Sequence, residues 1–360
     1  MSSYHEFLFQ GNKILTPKDL TPKKIYIEPS SKCNLNCAMC FRHTWSEPFV
    51  DMDYALFEKL MEEVKGFSPR PIFHIGGLGE PFVNPRIYDM ITYLKREGYF
   101  VSVSSNGTLM PKKRMECLVD YGVDRLYLSM DPGVLGHGPV DPVLERLREI
   151  DAIRRERKKG KPMTGVEIVL TKENIEYLPN LVKPLKDAGV TFIILSNLIP
   201  TRAYIEDQIL YGVKEFKSEA YERFVRETYS QFNVTLPEFE FRTERRCNFI
   251  SQDGVVIRSD GEVVPCYRLM YSYEEHYLGI HRKITVKSFG NLKEKSLKEI
   301  YNLREYAWFR FIVKYSIYPS CGDCRLRESC DFILSTERDC WGNEPSCSDC
   351  LWSRRMVICP

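Results

Sequence analysis

Between residues 23 and 198 the chain alternates short apolar runs with longer stretches of helical periodicity. "KKIYIEPS" (23–30), "PIFHIGG" (71–77), "YFVSVSSNG" (99–107), "DRLYLSMD" (124–131), "GVEIVLT" (165–171) and "TFIILSNL" (191–198) read as strands. Several are apolar on nearly every residue, as strands buried on both faces are. Between them, "MDYALFEKLMEEVKGF", "PRIYDMITYLKREG", "PKKRMECLVDYG", "DPVLERLREIDAIRRERKKG" and "IEYLPNLVKPLKDAG" carry the spacing of amphipathic helices. Strands alternating with helices in this way predict a parallel sheet wound right-handed. An open doubly wound sheet and an incomplete barrel both fit. The expected fold class is α/β, with a Cys-rich C-terminal extension of β-hairpin, loops and short helices.

The expected organisation is an N-terminal segment (1–22), a β/α unit (23–200), a helical connector (201–246) and the Cys-rich extension (247–360). "SEAYERFVRETYSQF" is the connector's clear helix. "GVVIRSDGEVVPCYR" predicts a hairpin turning at Asp260-Gly261. A net charge of +2 gives no reason to expect nucleic acid or an anionic membrane as partner. The basic run "RRERKKGK" (154–161) reads as the solvated end of a helix. No apolar run reaches the ~20 residues of a membrane span, and the first residues lack a signal-peptide pattern, so a cytoplasmic location is expected. In that reducing compartment thirteen cysteines point to metal or redox chemistry rather than disulfides.

The unusual residues cluster just after the strands, where ligands of such sheets sit. Cys33, Cys37 and Cys40 follow the first strand in a C-x3-C-x2-C loop. "GGLGEP" (76–81) follows the second: Gly76 and Gly77 permit close backbone approach to a ligand, and Glu80 suits an ammonium group. "VSSNGT" (103–108) follows the third, and Ser129 and Asp131 follow the fourth. Three thiolates on one loop can hold three irons of a 4Fe–4S cube and leave the fourth open. Zinc takes four ligands, and His43 would complete that alternative. Other plain readings are an Asn106-Gly107 turn, a strand-end cap for Ser129 and Asp131, and core positions for His74 and Cys117.

C-x3-C-x2-C after the first strand of a β/α unit resembles the radical S-adenosylmethionine (SAM) enzymes. The resemblance implies that residues 23–200 form a partial (β/α)6 TIM-like barrel, and that SAM itself chelates the fourth iron through its amino and carboxylate groups. The reduced cluster then splits SAM into methionine and a 5′-deoxyadenosyl radical, which abstracts a substrate hydrogen. It further implies that Gly76, Gly77 and Glu80 hold the methionine amino group, and that Ser105 and Asn106 contact the ribose. Ser129 and Asp131 would meet SAM or substrate. The aromatic residue common before the third cysteine is here Met39, with Phe41 just after it, so adenine packing falls to either.

Downstream, Cys247, Gly261 and Cys266 form C-x13-G-x4-C, followed by Cys321-x2-Cys324-x5-Cys330 and then Cys340, Cys347, Cys350 and Cys359. This order resembles the SPASM extension of radical SAM enzymes, which holds two auxiliary 4Fe–4S clusters. It departs from the family in the nine residues before Cys340, where three are usual. The resemblance implies interleaved ligands: Cys247 and Cys266 with Cys340, and Cys321, Cys324 and Cys330 together. Each set is completed by one of Cys347, Cys350 and Cys359, the C-x2-C pair being favoured, so that one cysteine is spare or one cluster is partly open. A zinc ribbon of "CGDC" and "CSDC" is the alternative, which thiolates alone do not exclude.

The tail "DCWGNEPSCSDCLWSRRMVICP" resembles that of proteins assigned to maturation of tungsten-dependent oxidoreductases. The expectation is therefore an enzyme with three 4Fe–4S clusters and SAM, acting on a protein or peptide, a tungsten-dependent oxidoreductase or its cofactor. A reductant such as ferredoxin would feed it. The alternatives are a SPASM peptide maturase forming thioether or C–C cross-links, and a zinc-stabilised binding module.

Overall fold

The computed structural model describes residues 3–131, 141–212, 216–242 and 244–360. Strands β1 (Tyr4–Phe9) and β2 (Asn12–Pro17) form an N-terminal hairpin, and β3 (Lys24–Ile27) then opens the main sheet. There follow α1 (Tyr54–Val64), β4 (Ile72–Ile75), α2 (Ile87–Arg96), β5 (Val101–Ser105), α3 (Lys112–Asp120), β6 (Arg125–Ser129) and α4 (Asp141–Glu156). The alternation ends with β7 (Met163–Leu170), α5 (Leu178–Asp187) and β8 (Phe192–Asn197). All six expected strands are present, and β3 to β8 pair in sequence order, every pair parallel.

Strand periodicity sorts the side chains into two faces. Ile25, Ile27, Phe73, Ile75, Val103, Leu126, Val166 and Ile193 are fully buried. They share one face by register, and burying each large apolar side chain stabilises the fold by about 1.5–3 kcal/mol. The opposite face carries His74, Ser102, Ser104, Ser129, Glu167 and Ser196, most of which line a cavity. Successive helices touch in turn, α3 on α4, α4 on α5, and α5 on α6 (Glu219–Thr228). A single ring of helices outside and a polar cavity inside make the sheet a partial barrel rather than a doubly wound sheet.

The sheet is wider than the sequence suggests, with nine strands. In the connector, β9 (Asn233–Thr235) adds a parallel strand beside β8. At the other edge β10 (Gly254–Ile257), beyond α7 (Asn248–Ser251), pairs parallel with β3, and β11 (Val263–Val264) pairs antiparallel with β10. The hairpin expected at Asp260-Gly261 exists, with Gly261 at a left-handed φ of +95°. It continues the barrel sheet instead of standing apart. A second hairpin, β12 (Tyr273–Tyr277) and β13 (Ile280–Ile284), precedes α8 (Leu297–Tyr301) and α9 (Arg304–Lys314). Phe7 of β1 packs on Trp308 of α9 at 4.8 Å between ring centroids.

Capping follows the usual chemistry: Asp53 accepts from Ala55 N at the start of α1, and Ser296 and Glu299 form a capping box on α8. The basic run begins in the last turn of α4 and is salt-bridged there: Arg154 and Arg155 both reach Asp151, at 2.6 and 2.8 Å. None of the described helices is long and apolar enough to cross a membrane.

Candidate functional site

The cysteine loop leaves β3 and closes on itself, with Cys40 N donating to Cys37 O at 3.0 Å. His43 is turned inward onto the same loop, its Nε2 2.8 Å from Cys37 O. The segment after β4 is laid directly along it: Glu80 N donates to Lys32 O at 2.8 Å. Gly79 makes that approach feasible, since a Cβ there would stand 2.1 Å from Ser30 O. Asn106, after β5, holds the loop from the third side. Its amide nitrogen donates to Asn34 Oδ1 at 3.0 Å and lies 3.7 Å from Cys33 Sγ, the kind of contact that stabilises a metal-bound sulfur.

These segments surround one cavity of about 310 Å3, a size usual for small-molecule sites. Cys33, Cys37, Met39, Cys40, Phe41, Gly77, Glu80, Ser105, Asn106, Ser129 and Asp131 all line it. Gly76 does not; its N–H donates to Ile27 O at 3.0 Å and continues the strand ladder. Phe41 packs edge-on against Tyr273 of β12 at 4.9 Å. Glu80 is buried and heavily used: it accepts from Ser105 Oγ and Asn106 N, both at 2.8 Å, and from Phe82 N at 3.1 Å. Asp131 clamps two strand ends by accepting from Val169 N at 2.8 Å, and it faces the cavity as well. His74 Nδ1 lies 2.9 Å from Ser102 Oγ, and burial holds the ring neutral by lowering its pKa to about 3. Cys117 sits half-buried on α3, outside this cavity.

Sequence reasoning missed Glu167, Glu28, Tyr267 and Asn197. Glu167 lies in the cavity wall and accepts from Ser104 Oγ at 2.7 Å. Burial pushes its pKa, like that of Asp131, up to about 7. The signal was available: in "GVEIVLT" a lone carboxylate alternates with Val166 and Ile168, so the face opposite the helices must be polar there. Glu28 is fully buried just past β3. It accepts from Leu78 N at 3.2 Å, Ser259 Oγ at 3.2 Å and Tyr271 Oη at 2.5 Å, tying the glycine segment to the C-terminal hairpin.

Ionising Glu28 in that enclosure is costly, and burial raises its pKa from 4.5 to about 7. Between those two values the folded protein binds more protons than the unfolded chain, so stability falls as pH rises through the window. A shift of this size corresponds to about 3 kcal/mol. Glu28→Gln is expected to shrink that fall, read as urea midpoints at about pH 5 and about pH 8; an unchanged fall contradicts the assignment.

The tail cysteines form two groups. Cys247, Cys266, Cys347 and Cys350 line one small cavity together with Arg268. Burial, and then the neighbouring thiols, push Cys247 up to about 12 and Cys266 and Cys347 well above their ordinary value. Arg268 reaches Glu275 at 3.5 Å and Asp349 at 3.0 Å, keeping a buried positive charge beside these sulfurs. Cys321, Cys324, Cys330 and Cys340 form the other group, with Cys324 and Cys340 exposed. This grouping differs from the interleaved expectation: Cys340 stands with Cys321, Cys324 and Cys330, while Cys347 and Cys350 stand with Cys247 and Cys266. The long spacer before Cys340 lets it fold back onto Cys321, Cys324 and Cys330, while the tail beyond it returns Cys347 and Cys350 to Cys247 and Cys266. Cys359 belongs to neither and lines the barrel cavity.

Among the described residues no three His, Cys, Asp or Glu side chains converge closely enough to hold a single metal ion. The thiols of the cysteine loop and of the Cys247 group instead line cavities. Thiols held protonated by burial must release protons when metal binds.

Known proteins match this arrangement. The radical SAM superfamily profile matches residues 27–185, and that of the SPASM iron–sulfur cluster-binding domain matches residues 247–325. The chain is 42% identical over 345 residues to the tungsten-containing aldehyde ferredoxin oxidoreductase cofactor-modifying protein of Pyrococcus furiosus, covering 94% of this chain and 97% of that one. It is 25% identical to the AdoMet-dependent heme synthase of Methanosarcina barkeri, covering 86% and 90%. The fold is similar to that of Streptococcus suis SuiB bound to S-adenosylmethionine, with a TM-score of 0.59 at 17% identity over 86% of this chain and 72% of that one. The chain belongs to the radical SAM superfamily: it is an enzyme that binds a 4Fe–4S cluster and SAM in its barrel and auxiliary iron–sulfur clusters in a SPASM extension.

Proposed function

We propose that this enzyme modifies the cofactor of a tungsten-containing aldehyde ferredoxin oxidoreductase, or the oxidoreductase itself during maturation. The observation that carries the reading is the 42% identity, along nearly the whole chain, to a protein with that role. When bound, the cluster and SAM supply a 5′-deoxyadenosyl radical. Cys33, Cys37 and Cys40 hold that cluster, and Asn106 donates toward the Cys33 sulfur. The backbone of Gly77 to Glu80 and the remaining acceptor capacity of Glu80 receive the SAM amino group. Ser105 and Asn106 meet the ribose, and Met39 and Phe41 pack the adenine. Ser129, Asp131 and Glu167 face the reacting centre, and the tail residues Trp352, Val357 and Ile358 wall off the opposite end from water. A low-potential carrier such as ferredoxin delivers electrons.

The reading is tested by giving the reduced enzyme SAM with and without the tungsten oxidoreductase in its immature form. The oxidoreductase or its cofactor is expected to stimulate 5′-deoxyadenosine formation and to pass its own hydrogen to that product when deuterium-labelled. No stimulation, with a response instead to a cysteine-containing peptide, would favour a peptide maturase.

The two thiol groups each hold an auxiliary cluster in this reading. Double substitution within one group, Cys247→Ala with Cys350→Ala, is expected to cost about four irons. Substitution across groups, Cys247→Ala with Cys340→Ala, is expected to cost about eight. Iron analysis and spin quantitation measure both, and the reverse order would restore the interleaved arrangement.

A further inference from the structure

The ninth tail cysteine, Cys359, stands outside both groups of four and sits in the cavity that the cysteine loop lines. The tail holds Cys359 there firmly. Asn197 N donates to Met356 O at 3.1 Å, Ile358 N donates to Ser196 Oγ at 3.0 Å, and Lys24 Nζ donates to Pro360 O at 2.9 Å. Trp352 Nε1 donates to Cys359 Sγ at 3.1 Å, which engages a sulfur lone pair and leaves the S–H hydrogen free to transfer. Burial pushes the thiol up to about 12, so the hydrogen stays on sulfur at neutral pH.

A second observation marks this end of the cavity as a ligand site. Tyr267 Oη and Asn197 Oδ1 line it without a hydrogen-bond partner, although Tyr267 is 7% exposed and Asn197 2%. The Asn197 amide nitrogen is occupied by Glu238 O at 2.9 Å and Met356 O at 3.0 Å, which fixes which amide atom is left over. A buried polar group left without a partner is costly. A bound molecule presenting an N–H or O–H to Asn197 Oδ1, and a polar group to Tyr267, removes that cost.

We propose that Cys359 is a hydrogen-atom donor to a carbon radical formed on a compact polar substrate held by Asn197 and Tyr267. The inference rests on the radical SAM reading of the same cavity. In the step a C–H bond forms on the substrate, the S–H bond of Cys359 breaks, and the unpaired electron moves to sulfur. Because an S–H bond is weaker than an aliphatic C–H bond, the transfer runs downhill. Restoring the thiol takes one proton from solvent and one electron from a reduced 4Fe–4S cluster in the Cys247, Cys266, Cys347 and Cys350 group. Trp352 borders both that group's cavity and this one.

The test needs no substrate. The iron-loaded enzyme is reduced in deuterated water without added thiols and given SAM alone. A radical formed in the empty cavity takes the exchangeable hydrogen of Cys359, so 5′-deoxyadenosine gains one deuterium. In Cys359→Ser most of that deuterium is expected to be lost, while iron content and the auxiliary-cluster spin signals match the wild type. Deuterium retained in Cys359→Ser overturns the inference. So does a loss of about four irons, which would make Cys359 a ligand. Wild-type protein that carries iron yet cleaves no SAM, even beside the immature oxidoreductase, overturns the radical reading itself, and the inference with it.

Discussion

Cys40→Ala is expected to abolish SAM cleavage. Three thiolates on one loop leave no spare ligand, and nothing nearby substitutes for the lost one. His43 is the nearest alternative donor, but its Nε2 is engaged with Cys37 O at 2.8 Å, inside the loop. Iron should fall from about twelve to about eight per chain, because the auxiliary sites lie on separate segments. Formation of 5′-deoxyadenosine by anaerobic, dithionite-reduced protein should drop to background. Cleavage within about tenfold of wild type, a barrier change of only ~1.4 kcal/mol, would mean that Cys40 is not a cluster ligand.

Gly79→Ala is expected to damage the site as severely without touching a ligand. The added Cβ would stand 2.1 Å from Ser30 O and 2.7 Å from both Lys32 O and Ser31 C. These are backbone atoms, so no side chain can rotate away. The segment carrying Glu80 must lift off the cysteine loop, breaking the 2.8 Å hydrogen bond from Glu80 N to Lys32 O. The expected cost is about 3 kcal/mol, the upper end for overpacked sites, together with loss of SAM binding. Urea unfolding and SAM titration measure both. Wild-type stability would show that the two segments are not in contact.

The chain's chemistry was more legible than its connectivity. The cysteine loop, "GGLGEP" and "VSSNGT" each follow a strand that periodicity alone identifies, and parallel topology brings strand ends together. Hence the cavity was anticipated from residues far apart in sequence. What was hidden depends on distant pairing. In β10, "GVVI" looks like any hairpin strand, and nothing local announces that it pairs parallel with β3. In β9, "NVT" is too short for periodicity to register. Glu28 looks like the polar end of a strand until Ser259 and Tyr271 close over it. The cysteines group differently in space from the interleaved expectation because spacing fixes which thiols can be near, not how the tail folds back. Asn197 and Tyr267 matter for atoms left without partners, a property that exists only in three dimensions.

The most direct test of the account is the electron paramagnetic resonance spectrum of the anaerobic, reduced protein with and without SAM. The account predicts a 4Fe–4S signal whose shape changes when SAM is added, because SAM occupies the open iron beside Cys33, Cys37 and Cys40. A signal indifferent to SAM, or protein that carries zinc and gives no iron signal, would contradict it.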